Sequence, residues 1–143
     1  MAITQTMCTS FKKALLDGEM DFSANTNQSY KIALYTYSAS LDATTETYTT
    51  SNEASGTGYT PGGVALTIST APTTSGTTAY LSFSNATWAN STITARGALI
   101  YQTGGTTPAV AVLDFGSDKS TSGTTFQVTF PTANATTAIV RVA

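Results

Sequence analysis

The chain offers few side chains that could carry out catalysis. It contains no histidine, which removes the commonest general base and a frequent zinc ligand. Arrangements that pair histidine with a nucleophilic serine or cysteine are therefore excluded. The single cysteine, Cys8, lies beside a predicted apolar stripe and is expected to be a small buried hydrophobic residue, not a reactive thiol.

Eight carboxylates remain, and a suitably spaced pair of carboxylates could hydrolyse a glycoside. Asp114 and Asp118 flank Phe115-Gly116-Ser117 and could ligate calcium with backbone oxygens, but the run of ligands is too sparse, and an Asx turn is favoured. Glu53 stands alone. The other candidates follow a predicted helix and are expected to decorate a solvated turn: Asp17, Glu19 and Asp21. The sequence thus predicts no enzyme, and no catalytic, cofactor-binding or metal-binding residue.

Two further features could bind a ligand. The longest irregular segment, residues 51–63, has glycines at 56, 58, 62 and 63, but a strand-like run follows it instead of the helix that a phosphate-binding loop requires. It is either a flexible contact loop or a structured crossover between sheets. Trp88 could stack on a sugar, although a core or sheet-edge anchor is preferred.

Seven tyrosines form the largest aromatic class. Tyr35 and Tyr37 are predicted on the strand face opposite Ile32 and Leu34. Tyrosine is common at protein contacts because it buries a large area at a small entropic cost. Two roles for these tyrosines remain open, contact with a partner at an interface and packing beneath the N-terminal helix.

One helix is predicted, over residues 4–17. Its apolar residues recur at helical spacing, and either Thr4 or Thr6 could cap its start, while Gly18 is placed to end it. The stripe consists of Met7, Phe11, Ala14 and Leu15.

From Tyr30 onward the apolar period changes to two, which is typical of β-strands. Glycine-rich turns separate the runs, so the sequence predicts an all-β fold: an antiparallel β-sandwich, jelly-roll-like, with one short N-terminal α-helix. A single domain is expected over residues 1–143, with the sandwich in 30–143. About eight strands are predicted, at 30–37, 44–50, 64–69, 79–84, 93–101, 109–115, 126–130 and 138–142.

The composition of the chain limits the classes of partner that it is expected to bind. Only 10% of the residues are charged and the net charge is −2, while threonine supplies roughly a fifth of the chain. The basic residues are scattered, so neither nucleic acid nor a membrane is expected as a partner. The start of the sequence shows no secretion signal pattern, and the lone cysteine agrees with an expectation of synthesis in a cytoplasm.

Several stretches carry a resemblance: CTSFKKALLDGEMDF, YKIALYTYSASL, YTTSNEASGTGYTPGGVALT, ATWANSTITARGALIY and AVAVLDFGSDKS. Together they resemble a family of small virion structural proteins of tailed bacteriophages, over nearly the whole chain. The resemblance implies a structural role without catalytic residues. The chain's size, and its lack of long fibrous repeats, are similar to those of capsid cement or decoration proteins.

The leading hypothesis is therefore a cement protein that binds the major capsid protein on the outer capsid surface of the virion. It is expected to form a homo-oligomer, a dimer or trimer, and to bind through salt-insensitive contacts of Met1–Asp21 and of residues 51–63. A neck or tail structural protein is an alternative of the same class. A carbohydrate-binding module for the host surface, using Trp88 and exposed tyrosines, is an alternative of another class.

Overall fold

The computed structural model describes residues 2–23 and 26–143. The described residues form ten β-strands and one short helix, which confirms an all-β fold with an N-terminal α-helix. The elements are β1 (Thr6–Met7), α1 (Thr9–Asp17), β2 (Tyr30–Tyr35), β3 (Val64–Leu66), β4 (Ile68–Ser75), β5 (Thr78–Phe83), β6 (Ala86–Ser91), β7 (Thr94–Gln102), β8 (Ala109–Ser120), β9 (Thr124–Val128) and β10 (Val140–Val142).

The strands form antiparallel sheets that share one apolar core. A five-stranded sheet has the order β1-β8-β7-β2-β3, a three-stranded sheet has the order β10-β5-β4, and β6 pairs with β9. The strand predicted at 93–101 has a dense apolar run, which is typical of a central strand, and β7 lies in the middle of the largest sheet. The order of the strands gives no support for the predicted jelly-roll connectivity.

One long hairpin ribbon supplies strands to two sheets. Its first arm is β6 followed by β7 and its second arm is β8 followed by β9, so that Trp88 pairs with Phe126 at one end and Tyr101 with Ala109 at the other. The ribbon turns between sheets at the buried Ser91, whose hydroxyl donates to the Thr124 carbonyl oxygen at 2.9 Å. A short polar side chain at this corner satisfies backbone groups where the ladder is interrupted.

The helix is shorter than predicted. Thr6 and Met7 extend as β1 and pair with β8, and the Cys8 N–H donates to the Val110 carbonyl oxygen at 3.0 Å. The apolar period assigned Thr6 and Met7 to the first helical turn, but in the fold they pair with a strand of the sheet instead. The helix has no side-chain cap from Thr4 or Thr6, because Cys8 is its N-cap residue and forms no cap hydrogen bond. Gly18 ends the helix in the left-handed conformation, as predicted.

Two strand predictions were wrong. Residues 44–50 form no strand and make only a single bridge, between Thr47 and Pro108. The segment begins in a turn, because the Asp42 carboxylate accepts the Thr44 N–H at 2.8 Å, and it holds few apolar side chains to bury. Residues 64–69 divide into two strands of different sheets at Thr67. The prediction of eight strands omitted β1 and β6. Their sequences are short or polar, so they show no clear apolar period.

Aromatic rings fill much of the core. Phe22 stacks on Tyr30 with ring centroids 4.4 Å apart and also meets Phe11 and Phe83 edge-on. This contact packs α1 and the segment after it against the sandwich. The stripe prediction holds in part, because Phe11 and Ala14 are buried whereas Met7 and Leu15 are only half-buried.

Candidate functional site

Glu19 and Asp21 follow α1 on exposed chain, as predicted, whereas Asp17 is the last residue of the helix itself. Asp17 forms an exposed ion pair with Lys13. The Asp21 carboxylate accepts the Ser23 N–H at 2.8 Å, and this hydrogen bond holds the pKa of Asp21 below its ordinary value. Glu19 is exposed. Their carboxylates are used locally and do not converge on a common point.

Asp114 and Asp118 do not converge either. Asp114 Oδ1 accepts the Gly116 N–H at 2.8 Å, which is the Asx turn that the sequence favoured over a calcium loop. Asp118 lies 3.5 Å from an Arg96 guanidinium nitrogen. Across residues 2–23 and 26–143, no three acidic, cysteine or histidine side chains come close enough to hold a metal ion.

Cys8 is fully buried. Burial raises the pKa of its thiol to about 11, and the nearby Asp42 carboxylate acts in the same direction. The reading of Cys8 as a small core residue is confirmed. We expect the native thiol to react with a disulfide reagent at pH 8 at least about a hundredfold more slowly than the thiol of the denatured chain. Equal rates would show that this thiol is accessible.

Trp88 is also a core residue, with an exposure of only 3%. Its indole meets the Phe126 ring edge-on with centroids 5.9 Å apart and lies nearly parallel to the Tyr59 ring. A buried indole offers no face to a sugar. The core-anchor reading is confirmed, and the carbohydrate-binding alternative loses Trp88 as one of its stacking platforms.

Glu53, isolated in the sequence, is the centre of a cluster of side-chain hydrogen bonds. Its Oε1 accepts the Tyr48 hydroxyl at 2.8 Å, and its Oε2 accepts the Tyr59 hydroxyl at 2.7 Å and the Gly62 N–H at 2.8 Å. We call these four residues, with Tyr101, the Glu53 cluster. The Tyr101 hydroxyl closes it by donating to the Gly62 carbonyl oxygen at 2.7 Å.

The electrostatics of the Glu53 cluster keep its phenols neutral. Burial raises the pKa of Tyr59 and of Tyr48 well above the ordinary value, and the Glu53 carboxylate raises both further. A neutral phenol donates to a carboxylate, and a phenolate would repel it. The carboxylate accepts three protein donors, so the cluster can anchor the loop that contains it.

The anchored loop is residues 51–63, and it is a structured crossover. On one side the Ala54 N–H donates to the Leu34 carbonyl oxygen at 2.8 Å, which extends the ladder beside β2. On the other side the Thr92 N–H donates to the Thr57 carbonyl oxygen at 2.9 Å, at the corner of the ribbon. The loop thus connects the sheet that contains β2 with the corner of the ribbon. A structured crossover between sheets was one of the two predicted interpretations of this segment.

The two tyrosines that were predicted to share a strand face lie in different environments. Tyr35 is buried, and its hydroxyl donates to the Thr49 carbonyl oxygen at 2.6 Å. Tyr37 lies beyond the end of β2 and is 65% exposed. β2 is buried on both of its faces, so the simple in-and-out alternation fails there.

The most exposed large apolar side chain among the described residues is Leu16, at the C-terminal end of α1, with an exposure of 90%. Val142 of β10, which is 52% exposed, lines the same depression. We call this surface the α1 face. Its outer groove, of about 410 Å³, is lined by Met7, Lys12, Leu15, Leu16, Arg141, Val142 and Ala143.

An inner groove of about 380 Å³ adjoins the outer groove, and the two share Leu15 and Val142 as a common ridge. Phe11, Met20 and Leu81 contribute to its lining. The α1 face is therefore a continuous apolar depression beside a protruding leucine. Large apolar side chains left exposed together are characteristic of protein contact sites.

No protein-family model, curated protein or solved structure matches this chain. Among residues 2–23 and 26–143, no helix is both long and apolar enough to cross a lipid bilayer. Among the described residues, the α1 face holds two of the three well-exposed large apolar side chains, Leu16 and Val142.

Proposed function

We propose that this chain is a structural protein of a tailed-phage virion, most specifically a capsid cement protein. In this role it docks on the outer surface of the capsid and stabilises the lattice of the major capsid protein. The observation that carries the proposal is the α1 face, where Leu16 stands exposed beside two apolar grooves. This surface lies in the segment Met1–Asp21 and its surroundings, which the sequence predicted to make the contact.

The rest of the molecule supports a docking role. The Glu53 cluster fixes the long crossover, and the paired strands and aromatic core give a rigid body on which a contact surface keeps its shape. A preorganised surface loses little conformational entropy on binding. The exposed residues of loop 51–63 are polar and small, so the proposal rests on the α1 face and no longer on that loop.

The test is a co-sedimentation assay with capsid shells of the major capsid protein from the same phage. Leu16→Glu places a charge on the α1 face, and we expect it to reduce binding at least about tenfold, since an interfacial charge without a partner is costly. Tyr37→Glu is the matched control, because it makes the same change at the other well-exposed large apolar residue outside the α1 face. It is expected to bind like the wild-type protein.

Both variants should retain the wild-type circular dichroism, because neither side chain belongs to the core. Wild-type protein that fails to bind shells would overturn the cement role. Equal binding by Leu16→Glu and the wild-type protein would show that the α1 face is not the docking surface.

A further inference from the structure

The charges around the α1 face have an uneven arrangement. Among the described residues, only Lys13 and Arg96 of the six cations form ion pairs. Lys12 and Arg141, both exposed and outside any ion pair, line the outer groove together. No acidic side chain lines that groove.

This local excess of positive charge opposes the charge of the whole chain. Acidic residues outnumber basic ones by eight to six, yet the outer groove combines five apolar residues with two cations. In the adjoining inner groove the single acidic side chain is Asp21, so the negative charge of the α1 face lies away from the two cations of the outer groove. The groove is therefore complementary to a ligand that carries apolar groups beside negative charge.

We infer that the α1 face receives an acidic amphipathic segment of a partner protein. Its aliphatic or aromatic side chains enter the two grooves, and its carboxylates pair with Lys12 and Arg141 at the rim. The inference rests on the proposed function and deepens it, because it states which chemistry the docking region of the major capsid protein must present. It also adds an ionic component to a contact that composition alone predicted to be insensitive to salt.

Two other occupants fit the groove less well. A second copy docked about a two-fold axis would place the same patch on both sides of the interface. Four cations would then share one interface with only the two Asp21 carboxylates of the inner grooves to oppose them, and such an excess of like charge opposes association. Nucleic acid would satisfy two cations but would leave the apolar lining uncovered, and two phosphate contacts provide little affinity at physiological salt.

The experiment measures the affinity of the full chain for capsid shells at low salt and at about 0.5 M salt, where charges are screened within a few ångströms. Lys12→Glu/Arg141→Glu reverses both rim charges. We expect it to weaken binding at low salt at least about tenfold, and to abolish the several-fold loss of affinity that salt causes in the wild-type protein. The matched control, Lys31→Glu/Lys119→Glu, makes the same change in net charge at the other two cations outside ion pairs. It should bind like the wild-type protein.

The outcomes separate the two proposals. Wild-type binding that Leu16→Glu destroys and Lys12→Glu/Arg141→Glu leaves intact would overturn the acidic partner and keep the cement role. Absence of wild-type binding would overturn both. Sedimentation equilibrium of the free protein adds a third outcome: a wild-type dimer that Leu16→Glu dissociates would identify a second copy as the occupant and overturn the inference.

Discussion

Replacing Gly63 with alanine is expected to lower the free energy of unfolding by at least about 4 kcal/mol. A Cβ atom at this position would lie 1.7 Å from the carbonyl oxygen of Ile32 and 2.6 Å from its carbonyl carbon. Both atoms belong to backbone that pairs β2 with β3, so neither can yield without disturbing the ladder. The residue also has a φ of +80°, which is unfavourable for any side chain. Urea unfolding followed by circular dichroism measures the change.

The matched control is Gly76→Ala. Gly76 has a φ of +60° but nothing lies within 4 Å of a Cβ atom built there. Only the conformational strain remains, and the expected loss is about 1–2 kcal/mol. Domains of this size are stable by about 5–15 kcal/mol, so we expect Gly63→Ala to be recovered only in part as folded protein and Gly76→Ala to fold normally. Equal losses in the two variants would contradict the close approach of Gly63 to β2.

Glu53→Ala is expected to cost about 3 kcal/mol of unfolding free energy. The change removes an acceptor shared by two phenols and one backbone N–H, and hydrogen bonds to a charged group are stronger than neutral ones. Tyr59 loses its acceptor although its hydroxyl still accepts the Leu34 N–H at 2.9 Å. The crossover 51–63 should therefore loosen at its Tyr59–Gly62 end, and amide hydrogen exchange at Gly62 should accelerate.

Glu46→Ala is the control for the charge. Glu46 is exposed, and its side chain makes no hydrogen bond within the described residues. It changes the net charge by the same amount and is expected to alter the unfolding free energy by less than about 0.5 kcal/mol. If Glu53→Ala behaves like Glu46→Ala, the Glu53 cluster contributes little to stability.

Local sequence patterns predicted the elements that the sandwich buries on a regular period. The alternation in β9, where Phe126 and Val128 are buried between exposed neighbours, reads directly from the sequence. The central position of β7 follows from its dense apolar run. Where two elements compete for the same residues the local pattern fails, as at Thr6 and Met7, because pairing with β8 is a contact across more than a hundred residues.

The Glu53 cluster could not be predicted, because its members lie at separate points of the chain. Tyr101 reaches Gly62 across 39 residues, and Glu53 meets Tyr48 and Tyr59 only once the crossover is folded. A lone acidic residue in a glycine-rich loop carries no periodic signal. The one available hint was an acid flanked by tyrosines five and six residues away, a spacing that indicates nothing without the fold.

Only one part of the α1 face lies in the segment where the sequence predicts a contact. The sequence placed a contact in Met1–Asp21, but it assigned Leu15 to a buried stripe and gave no role to Leu16. The pairing of Val142 with Ala79 places β10 at an edge of the three-stranded sheet, where Arg141 and Val142 line the same groove as α1. The residues of α1 and of β10 meet in one surface only through tertiary contacts, which no local sequence pattern encodes.

The abundance of this protein on purified virions, compared with that of the major capsid protein by gel densitometry, tests the cement proposal most directly. A cement protein occupies repeated sites across the lattice, so we predict a molar amount of this protein comparable to that of the major capsid protein. We also predict that the Leu16→Glu protein, in place of the wild-type chain, is lost from the particles. A trace amount, in proportion to a single neck or tail structure, or complete absence from the particle, would contradict it.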